Sequence, residues 1–127
     1  MKKILIADDI QGWRNYHSER MRELFNNDCE IKTACSAAEG YNLLLENNSE
    51  PFDIILTDLQ MESDYEPKYA GEWFVEQIKA LPNYGKTKVV MISATYSINI
   101  IAENLGVLYI RKSTAKTMPE VYKEVLL

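Results

Sequence analysis

Five polar residues stand at the ends of apolar runs. Asp8 and Asp9 follow Lys3 to Ala7, Asp58 closes the run Phe52 to Thr57, Ser93 follows Lys88 to Ile92, and Lys112 comes just after Val107 to Ile110. Sharing one pocket, three carboxylates within a few ångströms would raise one another's pKa unless a cation sat among them. A small set of hard oxygen ligands suits Mg2+, which keeps several waters and takes one or two carboxylates plus a phosphate. Lys112 adds a mobile point charge suited to a phosphoryl oxygen. Ser93 adds a hydroxyl able to donate to the same group. A carboxylate nucleophile, a metal and a lysine make a phosphoryl-transfer site, where positioning and charge neutralisation dominate. The one histidine, His17, falls outside this set. On a helix it reads as a half-buried residue rather than a ligand.

The elements that must position these residues alternate along the chain. Lys3 to Ala7 reads as a strand. Gln11 to Phe25 carries Trp13, Tyr16, Met21 and Leu24 at helical spacing. Glu30 to Ala34 is a second strand, and Ser36-Ala37-Ala38-Glu39 is a capping box opening a helix to about Glu46. The run before Asp58 is short, β-branched and apolar, as in a strand buried on both faces. Gly71 to Leu81 is helical by its Trp73, Phe74, Ile78 and Leu81; Pro82-Asn83-Tyr84-Gly85 is turn chemistry. Lys88 to Ile92 and Val107 to Ile110 are further strands. A helix from Ile98 to Leu105 lies between them, stopped by Gly106. Ile100 falls off the apolar stripe of that helix. Thr117 as N-cap and Pro119 in the first turn start a terminal helix.

Strand and helix alternate five times, which implies a parallel sheet with right-handed crossovers and helices on both faces. The five polar residues then come from four strands and meet at the carboxyl edge, where open α/β sheets bind ligands. The 127 residues suit one domain with a real core. A net charge of −5 argues against direct nucleic-acid binding, and no apolar run approaches the roughly 20 residues of a membrane helix. Cys29 and Cys35 flank a strand, about 20 Å apart at ~3.3 Å per residue, too far for a disulfide. Reduced thiols and a cytoplasmic setting are the expectation.

Asp8-Asp9, Asp58, Ser93-Ala94 and Lys112, in this order at consecutive strand ends, resemble the receiver domain of two-component response regulators. The resemblance covers essentially all of residues 1–127. It implies a (βα)5 doubly wound, flavodoxin-like α/β fold and a single receiver domain. It implies that Asp58 accepts a phosphoryl group from a phosphohistidine on a histidine kinase or histidine phosphotransfer protein. Asp9, Asp58 and the main-chain carbonyl of Gln60 would be direct Mg2+ ligands, and Asp8 would act through a water. Lys112 would contact the phosphoryl oxygens. Ser93 and Tyr109 would be the switch residues, reporting through the face made by the helix at 98–105, the strand at 107–110 and the terminal helix. That face would meet a downstream effector or a second copy of the chain. Such a domain catalyses only its own phosphorylation and dephosphorylation.

This sequence leaves the pattern in places. Glu62 follows Met61 where the family usually has proline, and the segment Glu62 to Ala70 is longer than usual and acidic. Ser113 stands where proline, commonly cis, usually follows the lysine. Either a trans bond with a shifted loop or a strained cis bond is expected. A displaced Lys112 would leave a pseudo-receiver, signalling by contact without phosphorylation. Gln60 and Thr95 occupy the positions that tune hydrolysis in the family, and neither is a charged base. A metal-dependent aspartyl phosphatase would need a second acid where Gln60 stands. A flavin-binding protein would not place paired acids at its phosphate loop.

Overall fold

The structure, a computed structural model, describes residues 1–61 and 69–127. At its centre is a five-stranded sheet in the order β2-β1-β3-β4-β5, every pairing parallel. The strands are β1 (Lys2–Ala7), β2 (Cys29–Ala34), β3 (Ile54–Thr57), β4 (Lys88–Ser93) and β5 (Leu108–Arg111). The helices are α1 (Gln11–Leu24), α2 (Ala37–Glu46), α3 (Ala70–Ala80), α4 (Ile98–Leu105), α5 (Lys112–Thr117) and α6 (Val121–Leu126).

Both faces of the sheet are covered, so the central strands have no solvent side. All four residues of β3 are buried. Alternate residues of one strand feed two separate cores. Leu5, Ala7 and Ile55 pack with Leu44, Phe74, Val75 and Ile98, under α2, α3 and α4. Ile4, Ile6, Leu56 and Val90 pack with Met21, Ala115, Tyr122 and Leu126, under α1, α5 and α6. The chain leaves β1 toward β2 on one side and later returns to place β3 on the other. The crevice opened by that reversal lies at the carboxyl ends of β1 and β3, where Asp8 and Asp58 follow their strands. The register carries this through: Ala7 pairs with Thr57, and Thr57 with Met91.

The capping box is formed: Ser36 Oγ accepts the Glu39 amide at 3.0 Å, and Glu39 Oε1 accepts the Cys35 amide at 2.6 Å. Gly106 ends α4 at φ 72°, a left-handed conformation that favours glycine. Cys29 and Cys35 are both free. Among the described residues no helix is long and apolar enough to cross a membrane.

The C-terminal segment corrects the sequence reading. Thr117 does not cap the terminal helix. It ends an additional helix, α5, which starts at Lys112 itself, and Thr117 Oγ1 donates back to Ser113 O at 2.9 Å. Serine after Lys112 lets the backbone enter a helix at once, where proline would push the preceding residue toward extended geometry. Pro119 acts in that way on Met118, which sits at φ −135°, ψ 73° and separates α5 from α6. The terminal helix therefore begins at Val121, with Glu120 as its N-cap. Of the expected acidic segment from Glu62 to Ala70, Glu62 to Lys68 lie outside the described residues.

Candidate functional site

Asp8 and Asp58 are both carried to the sheet edge by main-chain ladders. The Asp58 amide donates to Ala7 O at 2.9 Å and the Asp8 amide to Ala34 O at 3.0 Å, extending the β1–β3 and β1–β2 pairings past the strand ends. Each carboxylate is then fixed locally. Asp8 Oδ1 accepts the Ile10 amide at 2.9 Å, and Asp58 Oδ1 accepts the Leu59 amide at 2.7 Å. The second oxygens, Asp8 Oδ2 and Asp58 Oδ2, share Lys112, whose Nζ lies 3.1 Å from the first and 3.2 Å from the second. Asp9 completes the group: Asp8, Asp9 and Asp58 each offer an oxygen, all within 4.8 Å of one another. Asp8 and Asp58 are buried and Asp9 is exposed, so the cluster opens to solvent on the Asp9 side.

Its electrostatics are unbalanced. Burial pushes the Asp58 carboxyl up to about 6; Lys112 opposes this and Asp8 adds to it. Asp9 is raised as well, first by burial and then by Asp8. Asp8 Oδ2 has no hydrogen-bond partner despite complete burial. One lysine facing three carboxylates leaves an excess of negative charge, and an unsatisfied buried carboxylate oxygen is costly. All-oxygen donors, crowded and under-neutralised, fit a hard divalent cation.

The expected distortion at Ser113 does not occur. The Lys112–Ser113 bond is trans, since no described peptide is cis, and α5 begins there without moving Lys112 away from Asp58. Trp13 supports the lysine from the α1 side, its ring centroid 4.9 Å from Lys112 Nζ and 5.2 Å from Lys116 Nζ. Tyr16, one turn on, donates to Ala115 O at 2.6 Å and pins α5 to α1.

The remaining expected residues sit around this centre. Ser93 is buried at the end of β4, and its hydroxyl accepts the Thr95 amide at 3.0 Å. That leaves its own O–H free to donate. Gln60 Oε1 accepts from Thr95 Oγ1 at 3.5 Å, so the two positions expected to tune hydrolysis touch each other. Tyr109 is 39% exposed, with its ring centroid 5.8 Å from the Arg111 guanidinium. Ile100, as expected, is exposed.

His17 departs from expectation. It is not half-buried but 2% exposed, and it borders the site. Its Nδ1 lies 2.6 Å from the Tyr122 hydroxyl and its Nε2 4.0 Å from Asp8 Oδ2. Burial, reinforced by Lys112, pushes its pKa down to about 3, so the ring is neutral. The available signal was spacing. Trp13, His17 and Met21 recur every four residues and therefore share one helix face.

No family model matches the sequence, and no curated protein does. Solved structures do. A response regulator receiver domain protein from Clostridium thermocellum is 25% identical, with a TM-score of 0.70, covering 88% of this chain and 82% of that one. The phosphorylated cyanobacterial phytochrome response regulator RcpA is 23% identical at a TM-score of 0.72, covering 98% and 88%. The Mn(2+)-bound form of the response regulator Rcp1 is 21% identical at 0.68, covering 98% and 89%. With five parallel strands in the order 2-1-3-4-5, helices on both faces and these neighbours, the chain has the fold of response regulator receiver domains.

Proposed function

We propose that residues 1–127 form one receiver domain, a phosphorylation-dependent switch in a two-component pathway, with Asp58 as phosphoacceptor. The observation that carries this reading is Lys112 bridging Asp8 and Asp58 inside a three-carboxylate cluster at the carboxyl edge of the sheet. The donor is a phosphohistidine on a histidine kinase or phosphotransfer protein. An Asp58 carboxylate oxygen forms the new O–P bond as the P–N bond breaks, and the imidazole leaves with that electron pair and takes up a proton.

The residues present fit Mg2+, with Asp9, Asp58 and the Gln60 carbonyl as direct ligands and Asp8 through water. When bound it neutralises charge on the phosphoryl oxygens. A divalent metal is bound in one structural neighbour, the Mn(2+) form of Rcp1. Leu59 N–H holds one Asp58 oxygen and so orients the other. Lys112, a flexible point charge, follows the new negative charge from the carboxylates to the phosphoryl oxygens. Ser93 donates its free O–H to the same group. Tyr109 then turns inward, and the face of α4, β5 and α6 changes population rather than being built anew. That face already exposes Ile100, Leu108 and Tyr109, with Tyr96 in the turn before α4, fitting an effector or a second copy. The domain so described is regulatory, acting only on its own phosphorylation state. The pseudo-receiver alternative requires a displaced Lys112, and Lys112 stands 3.2 Å from Asp58.

The test is a crystal structure with Mg2+ and beryllofluoride. Expected are a beryllofluoride adduct with beryllium on an Asp58 oxygen, metal on Asp9 and Asp58, and Lys112 on a fluoride. A well-ordered pocket with no adduct at saturating reagent would defeat the proposal.

A further inference from the structure

Asp8 has a problem that the switch reading creates. Its Oδ2 is buried, lacks a hydrogen bond and faces Lys112 at 3.1 Å. If Lys112 leaves for a phosphoryl group on Asp58, that oxygen loses its cation. A second group that faces it is His17 Nε2, 4.0 Å away. We propose that His17, oriented by the Tyr122 hydroxyl of α6, is a positioning residue that takes over Asp8 Oδ2 when Lys112 moves to Asp58. The inference rests on the receiver reading.

The geometry selects the tautomer. His17 Nδ1 and the Tyr122 oxygen are 2.6 Å apart, a short hydrogen bond. Were Nδ1 to carry the proton, Nε2 would present a lone pair to a carboxylate. With the phenol donating to Nδ1, Nε2 carries the proton and points it at Asp8. Burial raises the Tyr122 pKa, which keeps the phenol protonated and able to donate. A gap of 4.0 Å is about 1 Å longer than a hydrogen bond, so the contact is poised rather than made. Trp13 lies tilted against His17 at a centroid distance of 5.3 Å, and Tyr122 meets it edge-on at 5.9 Å, which leaves the ring little freedom to rotate. The roles reverse the usual carboxylate–histidine–metal order: the imidazole supports an acid of the cluster, with a tyrosine behind it. It also ties the acid cluster to α6, part of the face proposed to report the switch.

The chain has one histidine, so long-range proton–nitrogen spectra near neutral pH report a single ring. In metal-free wild type the expected ring is neutral and protonated at Nε2. Tyr122→Phe should shift the ring toward a mixture of tautomers. Adding Mg2+ and beryllofluoride should move the Nε2–H resonance downfield as the gap to Asp8 closes. In Mg2+ titrations run with saturating beryllofluoride, so that Lys112 is drawn to Asp58, His17→Val should weaken affinity about 10-fold, the low end for lost outer-shell support of a metal site. His17→Gln places an amide N–H near the Nε2 position and should restore most of that loss, which general destabilisation would not predict. Thermal melts of each variant confirm that it is folded, and the wild-type spectra need no variant. A wild-type ring protonated at Nδ1 overturns the proposal. So does wild-type Mg2+ affinity in His17→Val with beryllofluoride present, or no rescue by glutamine under the same conditions. Wild type that binds neither Mg2+ nor a phosphoryl group sinks the receiver reading instead, while the tautomer still judges whether His17 donates to Asp8.

Discussion

Asp58→Asn should make the metal-free protein more stable, although it removes the residue on which the proposed function depends. The Asp58 pKa is raised from 3.8 to about 6, chiefly by burial. A shift of about two units at 1.36 kcal/mol each sets a ceiling of about 3 kcal/mol on the cost of ionising it in the fold. Asparagine keeps the shape and an oxygen for the Leu59 amide, and Lys112 retains Asp8 at 3.1 Å. That ceiling already includes the attraction of Lys112, and the net gain near neutral pH is about 1–3 kcal/mol, or about 4–12 °C in Tm for a domain of this size. The sign follows from linkage. Below about pH 4 the carboxyl is protonated in both folded and unfolded chains, and the two proteins should melt alike. Between about pH 4 and 6 the unfolded chain gives up this proton while the folded one holds it, so wild-type stability falls and the gap opens; above about 6 both are ionised and the gap stays constant. The assay is thermal unfolding in EDTA across that range. A variant less stable than wild type at neutral pH, or a gap independent of pH, would refute the reasoning.

Other substitutions probe other parts of the structure. Lys112→Met strands Asp8 and Asp58 without their cation and should cost about 3 kcal/mol in metal-free urea titrations at neutral pH, with an Asp58 pKa above that of wild type, since Lys112 holds it down. Gly71→Ala should cost about 1–3 kcal/mol by overpacking: a Cβ there would overlap the Asp58 carbonyl oxygen and come within 2.6 Å of Leu59 Cα, so chemical denaturation should show the loss. Ser36→Ala removes the acceptor for the Glu39 amide and should lower stability by about 1 kcal/mol in the same assay, with no effect on the acid cluster.

The fold was legible because the strands are short and apolar with polar ends, and because Asp8, Asp58, Ser93 and Lys112 each close one of them. A parallel sheet turns that one-dimensional pattern into a shared edge. The segment after Lys112 was less legible. A helix start at Lys112 depends on the absence of a proline at Ser113, whereas Thr117 and Pro119 together imitate a helix N-terminus. Pro119 instead acts backward on Met118. His17 was hidden for a different reason. A lone histidine on an amphipathic helix reads as half-buried, and its full burial follows from Tyr122, 105 residues away, supplying a partner. Long-range pairing of that kind leaves no local trace. The spacing with Trp13 and Met21 placed His17 on the inner face, but only the packing of α6 against α1 shows what satisfies it.

The most direct test of Asp58 as phosphoacceptor is intact-mass measurement after incubation with a small acyl-phosphate donor, with Mg2+ or with EDTA. Wild type should gain one phosphoryl mass in Mg2+ and none in EDTA, and Asp58→Asn should gain none in either. No gain on wild type, or the same gain on Asp58→Asn, would contradict the assignment.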